Sequence, residues 1–145
     1  MPLLSLVLLC LCLAQAQEPV APPTIHLLER VELQQTPFYW EELTRGSLAV
    51  ALGATASVQV RYDSAIPYDT GVHRTVVRVR PVATLPGGQV ALELRRLDSD
   101  GQTVRGSRPV RGALSSGQTA TFSLPGRYEM QERNIRVVLS GLVIQ

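Results

Sequence analysis

Apolar and polar side chains alternate with a period of two through most of the chain beyond residue 24. From Gln89 to Arg95 every second residue is aliphatic. In His73–Val82, Thr75, Val77 and Val79 fall on one side of the alternation and mostly arginine falls on the other. A period of two is that of β-strands with one buried and one solvated face, as in antiparallel sheets. The pattern therefore predicts a protein built mainly of antiparallel strands.

Turn signals separate these runs. Pro86-Gly87-Gly88, Asp98–Gly101 and Ser115-Ser116-Gly117 combine small polar residues with glycine, which tolerates positive φ. Thr119–Leu124 then alternates again, and Ile135–Ile144 closes the chain as a strand with a bulge expected at Gly141. About eight strands with short spacings and no long helix predict a single antiparallel β-sandwich of about seven or eight strands, immunoglobulin-like in its two layers.

Three segments are less clearly patterned. Ile25–Gln35 has some helical spacing, but its alternation within an otherwise β-rich chain favours a first strand. After the break at Thr36-Pro37, we expect Phe38–Leu43 to form one helical turn or an irregular crossover. Ser47–Leu52 and Ala56–Tyr62 alternate on either side of a glycine-containing turn, which predicts that they pair as a hairpin.

The start of the chain differs from the rest. Met1–Leu13 is apolar apart from Ser5, and it is too short to span a bilayer as a helix. Ala14-Gln15-Ala16 provides the small residues that a signal peptidase recognises, whereas a buried core helix is the alternative reading. The sequence predicts a signal peptide over residues 1–16, a proline-rich linker over 17–24 and a β-sandwich domain over 25–145.

Both cysteines, Cys10 and Cys12, lie inside the predicted signal peptide. Bacterial lipoproteins carry a small residue directly before the modified cysteine, but Leu9 and Leu11 stand there, which favours release over lipid anchoring. A chain cut before Gln17 would have no thiol, and therefore no disulfide, cysteine metal ligand or cysteine nucleophile.

The charge composition points away from nucleic acid. The chain has 14 basic residues against 12 carboxylates, a formal net charge of +2, and no run of like charge longer than two. Nucleic-acid-binding proteins usually concentrate their basic residues, so a nucleic-acid partner is not expected. All the basic residues are arginine and the only asparagine is Asn134, which indicates a GC-rich coding genome and a bacterial source.

Two segments resemble bacterial immunoglobulin-like modules of the FxLYD type. Leu94–Gly101 is similar to the strand of that family that ends in Asp and is followed by a glycine and a return strand. Leu114–Phe122 is similar to the glycine-containing entry to a later strand. The resemblance extends from Arg78 to Leu124 and covers about a third of the chain. It implies an extracytoplasmic module found in envelope proteins, without a defined enzymatic activity.

Several short motifs suggest chemistry but are more typical of structure. Asp69-Thr70-Gly71 is the tripeptide of retropepsin-like proteases, whose mechanism needs paired aspartates, yet it is also an ordinary turn. Asp98–Gly101 opens like a calcium loop but lacks the later carboxylates, so a hairpin turn is favoured. His26 and His73 have no second histidine at ligand spacing. A Ser-His-Asp triad would be assembled in space, and no nucleophile-elbow motif is present. We expect no catalytic residue, metal or cofactor.

Three adjacent aromatic residues, Phe38, Tyr39 and Trp40, form the strongest candidate site. They could stack on sugars or anchor a protein partner, but the favoured interpretation is that Phe38 and Trp40 fill one end of the core. The sequence therefore predicts an exported, non-catalytic structural or protein-interaction module of a bacterial envelope, in the periplasm or at the cell surface. Its mature chain would have no transmembrane segment and would bind an envelope protein. A small carbohydrate- or peptidoglycan-binding module is the alternative.

Overall fold

The computed structural model describes residues 21–63, 72–99, 104–128 and 131–145, which form two main antiparallel β-sheets and a separate pair of two-residue antiparallel strands. The described residues contain strands, turns and irregular segments but no helix, so none of them forms a helix that could cross a membrane. The predicted all-β sandwich is confirmed. The strands are β1 (Thr24–Thr36), β2 (Tyr39–Ala51), β3 (Ala56–Asp63), β4 (Val72–Leu85), β5 (Gln89–Ser99), β6 (Val104–Gly106), β7 (Val110–Ser115), β8 (Ala120–Leu124), β9 (Arg127–Tyr128), β10 (Gln131–Glu132) and β11 (Ile135–Ile144).

The first sheet has the strand order β2-β1-β11-β8, so the first and last long strands pair in its centre. The second sheet has the order β3-β4-β5, and β6 and β7 both pair with the free edge of β5. β1 and β2, and β3 to β6, pair in chain order, whereas β1 with β11, β8 with β11 and β5 with β7 are pairs of non-consecutive strands. The chain crosses between the sheets after β2 and after β7. An immunoglobulin domain instead interleaves its strands through Greek-key connections. This protein therefore shares the two-layer architecture of the immunoglobulin fold but not its strand connections.

The core lies between the inner faces of the two sheets and is almost entirely aliphatic. Alternate residues of β4 and β5, such as Val77, Val79, Leu92 and Leu94, are fully buried, as their alternation predicts. The first sheet contributes the corresponding positions of β1, β8 and β11. Its buried residues include Ile25, Leu27, Val31, Leu33, Phe122, Leu124, Ile135, Val137 and Leu139.

The prediction of a helical turn or irregular crossover at Phe38–Leu43 is wrong, because Tyr39–Leu43 belongs to strand β2. Thr36 pairs directly with Tyr39, so Pro37 and Phe38 form a two-residue turn between β1 and β2. Proline is favoured at the first corner of a tight turn because its φ is already fixed near the required value. Pro37 does end the first strand, but it reverses the chain immediately.

The predicted hairpin between Ser47–Leu52 and Ala56–Tyr62 is also wrong. The first run, except Leu52, lies within β2, which pairs with β1 along its length, and the second lies within β3, which pairs with β4. The intervening turn carries the chain from one sheet to the other, and the Gly53 N–H donates to Pro81 O at 2.7 Å. Alternation specifies which face of a strand is buried, but it does not specify the neighbouring strand.

The bulge predicted at Gly141 is confirmed. His26 pairs with Val143 and Leu28 pairs with Ser140, so two residues of β11 lie opposite one residue of β1. Gly141 has φ +64°, a conformation that glycine adopts without cost, and a Cβ on it would stand 2.9 Å from Leu28 Cγ.

Some of the predicted features lie outside the described residues. They are the signal peptide, the first half of the linker (residues 17–20) and Asp69-Thr70-Gly71. Of the turn predicted at Asp98–Gly101, only Asp98 and Ser99 are described, and both belong to the end of β5. The strand that follows this turn is β6, where Val104 pairs with Ser99.

Candidate interaction site

The turn between β1 and β2 projects Phe38 into solvent. Its side chain is 97% exposed, although phenylalanine is among the residues most often buried in proteins. The Phe38 N–H donates to Thr36 Oγ1 at 3.3 Å, so the threonine hydroxyl helps to close the turn. The exposed ring therefore sits on a short hairpin turn, where its backbone is constrained.

The two residues that follow Phe38 are also aromatic and also outside the core. Tyr39 is 58% exposed, and Trp40 is half-buried on the outer face of the first sheet. The guanidinium carbon of Arg136, on β11, lies 4.3 Å from the centre of a Trp40 ring, which is a cation–π contact. The proposal that Phe38 and Trp40 fill the end of the core is therefore wrong. The inner positions at this end are occupied by Leu33, Ile135 and Leu124.

A carboxylate holds Arg136 in place beneath Trp40. Arg136 Nε donates to Glu32 Oε1 at 2.9 Å, and its Nη2 donates to Glu32 Oε2 at 3.5 Å. Arg30 Nε lies 3.5 Å from the same Glu32 Oε1. The hydrogen bond from Arg136 lowers the pKa of Glu32 below its ordinary value of 4.5, and the charges of both arginines act in the same direction. The Trp40 ring therefore packs against Arg136, which is held by Glu32 on β1, and Glu32 also contacts Arg30.

The arrangement can act as an apolar anchor with a fixed position. Phe38 and Tyr39 offer aromatic surface to solvent, and aromatic side chains contribute large contact areas at little conformational cost. Trp40 is supported on one side by Arg136, so that side of its ring is already occupied. We refer to Phe38, Tyr39 and Trp40 together as the aromatic turn.

A buried polar cluster at the same end of the sandwich was missed by the sequence analysis. Arg96 is 1% exposed, although it is an arginine in a strand. Its Nε donates to Asp98 Oδ1 at 2.9 Å, and its Nη1 donates to Leu124 O at 2.8 Å and to Arg133 O at 2.5 Å. Thr75 Oγ1 also donates to Asp98 Oδ1, at 2.5 Å. The signal was present in the sequence, because Arg96 occupies the inward position that follows Val90, Leu92 and Leu94.

The other residues considered for chemistry are dispersed. His26 lies on β1, half-buried, whereas His73 is buried on β4 with its ring 5.7 Å from that of Tyr62. Asp98, the first residue of the calcium-like motif, already accepts hydrogen bonds from Arg96 and Thr75 at Oδ1. Within the described ranges, no three His, Cys, Asp or Glu side chains come together in a way that could hold a metal ion.

Comparison with protein-family models, with curated proteins and with solved structures finds no match for the chain.

Proposed function

We propose that this protein is an exported, non-catalytic interaction module of a bacterial cell envelope, which binds a protein partner through the aromatic turn. Export is supported by the apolar segment Met1–Leu13 followed by Ala14-Gln15-Ala16. The resemblance of Leu94–Gly101 and Leu114–Phe122 to FxLYD-type modules supports an envelope location.

The observation that carries the proposal is the 97% exposure of Phe38 at a closed two-residue turn. An exposed phenylalanine contributes nothing to the core of its own chain, and its transfer from water to an apolar pocket is favourable by about 2–3 kcal/mol. Buried aromatic anchors surrounded by polar contacts are typical of the centre of protein interfaces. Tyr39 and the Glu32–Arg136 pair lie close enough along the same hairpin end to supply such surroundings.

A carbohydrate or peptidoglycan ligand is the alternative function. Sugars stack on the open faces of aromatic rings, and Arg136 already covers one face of Trp40. Tyr39 and Trp40 are consecutive residues of a strand, so their side chains leave it on opposite sides. The three rings therefore do not form one flat platform, which favours a protein partner.

Photo-crosslinking tests the partner directly. A photoreactive phenylalanine analogue at position 38 of the full chain is expected to give a discrete crosslinked protein in the native cells, whereas the same analogue at Leu28 gives none. Leu28 is a suitable control because it is 55% exposed and lies further along the same sheet. The Phe38→Ser change should shift the free energy of unfolding by less than about 0.5 kcal/mol, because its side chain touches almost nothing.

The outcome of this test separates the two functions. Equal crosslinking from positions 38 and 28 would contradict a specific partner at the aromatic turn. Binding to a glycan array that disappears in Trp40→Ala, while crosslinking from position 38 stays absent, would favour the carbohydrate alternative.

Export makes a separate prediction. Protein recovered from its native cells is expected to begin at Gln17, because the small residues at Ala14 and Ala16 define the cleavage site. Amino-terminal sequencing or intact mass measures this directly. Recovery of the chain with Met1 still attached would contradict export by this route, and a lipid-modified terminus at Cys10 or Cys12 would contradict release.

A further inference from the structure

The outer face of the second sheet carries six arginines, contributed by four strands. All six side chains are exposed, and we call this surface the arginine face. The sequence analysis missed it because each arginine is separated from the next by inward-facing residues or by a turn, so no charged run appears in the chain. The six residues are Arg61 on β3, Arg74, Arg78 and Arg80 on β4, Arg95 on β5 and Arg111 on β7.

The arginines are placed directly opposite one another across the strands. Arg61 pairs with Arg74 between β3 and β4, and Arg78 pairs with Arg95 between β4 and β5. Side chains at such positions have their Cβ atoms about 5 Å apart, and like charges there destabilise a sheet. The fold thus bears two unfavourable contacts that a threonine or glutamate at one position of each pair would remove.

One carboxylate is shared by two of these arginines. Glu93 Oε2 lies 3.3 Å from Arg111 Nε and 4.0 Å from Arg80 Nη2. Among the described residues, no carboxylate lies within ion-pair distance of Arg61, Arg74, Arg78 or Arg95. The six arginines and Glu93 together sum to a formal charge of +5, compared with +2 for the whole chain.

On the outer face of the first sheet, by contrast, the arginines have carboxylate partners. There Arg136 and Arg30 contact Glu32, and Arg45 Nε donates to Glu42 Oε1 at 2.7 Å. Arg30 and Arg45 also lie directly opposite each other, so both faces contain such pairs, but on the first sheet each arginine has an acidic neighbour. The excess positive charge belongs to one face of the sandwich.

The arginine face extends in two dimensions. Arg74 and Arg80 are six residues apart on one strand, which corresponds to about 20 Å, and the four strands span about 14 Å across. Small aliphatic side chains lie between the arginines: Val76 pairs with Leu97 in the middle of the face, and Val82 is 43% exposed beyond Arg80. No aromatic residue of the described chain occupies this face, since Tyr62 points into the core.

We propose that the arginine face binds the headgroups of an anionic phospholipid surface. Guanidinium groups form paired hydrogen bonds with phosphate oxygens and remain charged at any physiological pH. An array that extends in two dimensions matches a planar layer of phosphates, in which each arginine can meet a different headgroup. Half-buried Val76 lies between Arg74 and Arg78 on β4, so the face presents some apolar surface as well as charge.

Nucleic acid is less suited to the same surface. A sheet face four strands wide does not enter a groove of a duplex, and single strands are usually held by aromatic rings on which the bases stack. Neither a protruding helix nor an aromatic ring is present on this face in the described residues. Duplex and single-stranded DNA therefore serve as the competing ligands in the test.

The test measures binding of the full chain to vesicles of phosphatidylglycerol and phosphatidylcholine by co-sedimentation. Binding to the mixed vesicles is expected to exceed binding to pure phosphatidylcholine and to decline steeply between 0.05 and 0.5 M salt. Each basic residue near an anionic surface strengthens binding about five-fold, so the double variant Arg78→Gln/Arg95→Gln should bind about thirty-fold more weakly. The apolar amino-terminal segment is common to all variants and contributes equally to both kinds of vesicle.

A matched control removes the same charge from the other face. Arg30→Gln/Arg45→Gln also eliminates one directly opposed pair, and it should retain binding to the anionic vesicles within about five-fold. Circular dichroism melts of both double variants verify that each is folded. Equal losses in the two double variants would overturn the proposal, because they would indicate a response to net charge alone. Tighter binding to DNA than to vesicles at matched phosphate concentration would overturn it in favour of a nucleic acid.

Discussion

Replacement of Arg96 by methionine is expected to lower the free energy of unfolding by about 3–5 kcal/mol, the largest effect of any single substitution considered for this chain. Methionine keeps the length and flexibility of the side chain but removes its charge and all its donors. A domain of this size is typically stable by only about 5–15 kcal/mol, so the variant would lose a large share of its stability and melt roughly 10–20 °C lower.

The size of the effect follows from what Arg96 holds together. Its Nη1 donates to Leu124 O and Arg133 O, which are the two ends of the connection between β8 and β11. Its Nε donates to Asp98, and Gly126 leaves the space that the guanidinium occupies, since a Cβ there would collide with it. Without the guanidinium, two buried carbonyls and one carboxylate lose a charged partner, and each is costly to leave unpaired.

Chemical denaturation and hydrogen exchange together test this role. Arg96→Lys retains the charge with fewer donors and should fall between the parent chain and Arg96→Met. The neighbouring exposed arginine provides a matched control, and Arg95→Met should change stability by less than about 0.5 kcal/mol. The Arg133 N–H donates to Gly126 O at 2.7 Å and should exchange faster in Arg96→Met than in the parent. Equal stability of the Arg95 and Arg96 variants would contradict a structural role for the buried guanidinium.

Much of the fold was predictable because strand alternation is a local signal. Val77 and Val79 on β4, and Leu92 and Leu94 on β5, are buried as their spacing indicates. The positive φ of Gly141 was likewise signalled by a glycine inside a strand. Partner choice was not predictable in this way. Ser47–Leu52 has as good an alternation for pairing with Ala56–Tyr62 as for pairing with β1, and only the whole two-sheet arrangement decides between them.

The surfaces and buried charges were harder to predict, for a different reason. Arg78 and Arg95 are seventeen positions apart in the chain, yet they are directly opposite in the sheet, so a charge pattern read along the chain cannot reveal the arginine face. Charged residues at inward positions are visible in the sequence. Arg96 and Glu29 both interrupt an apolar alternation, but whether such a residue finds partners depends on elements that are distant in sequence.

Glu29 is the second of these inward charges, and it has far fewer partners than Arg96. It lies on β1 between Leu27 and Val31, is 6% exposed, and pairs with Gly46 and Leu139. Its side chain lies over Gly46, where a Cβ would stand 2.8 Å from Glu29 Oε1. Its Oε2 is buried and has no hydrogen-bond partner among the described residues. Burial raises the pKa of the Glu29 carboxyl above its ordinary value of 4.5.

Glu29→Met is therefore expected to stabilise the protein at pH 7 by about 1–3 kcal/mol, because it replaces an unpaired buried carboxylate with an apolar side chain of similar length. Glu29→Gln removes the charge but keeps polar atoms that lack partners, so its gain should be smaller. Chemical denaturation at pH 7 measures both. A Glu29→Met variant less stable than the parent at pH 7 would show that the carboxylate is compensated by contacts outside the described residues.

The pH dependence distinguishes desolvation from a packing effect. Because the folded chain raises the pKa of Glu29, the carboxyl favours folding most below pH 4.5. That contribution is lost as the pH rises through the raised pKa. The advantage of Glu29→Met should therefore grow from pH 4 to pH 7, whereas a packing gain would be the same at both.

Glu32 is the matched control on the outer face of the same strand. Its pKa is lowered, chiefly by Arg136, so its contribution is present above pH 4.5 and disappears as the pH falls through the lowered pKa. Glu32→Gln should accordingly be less stable than the parent at pH 7, by about 1 kcal/mol, with the difference shrinking in acid. Opposite pH trends in two carboxylates three residues apart on one strand can arise only from their different surroundings, one of them apolar and the other lined with arginine.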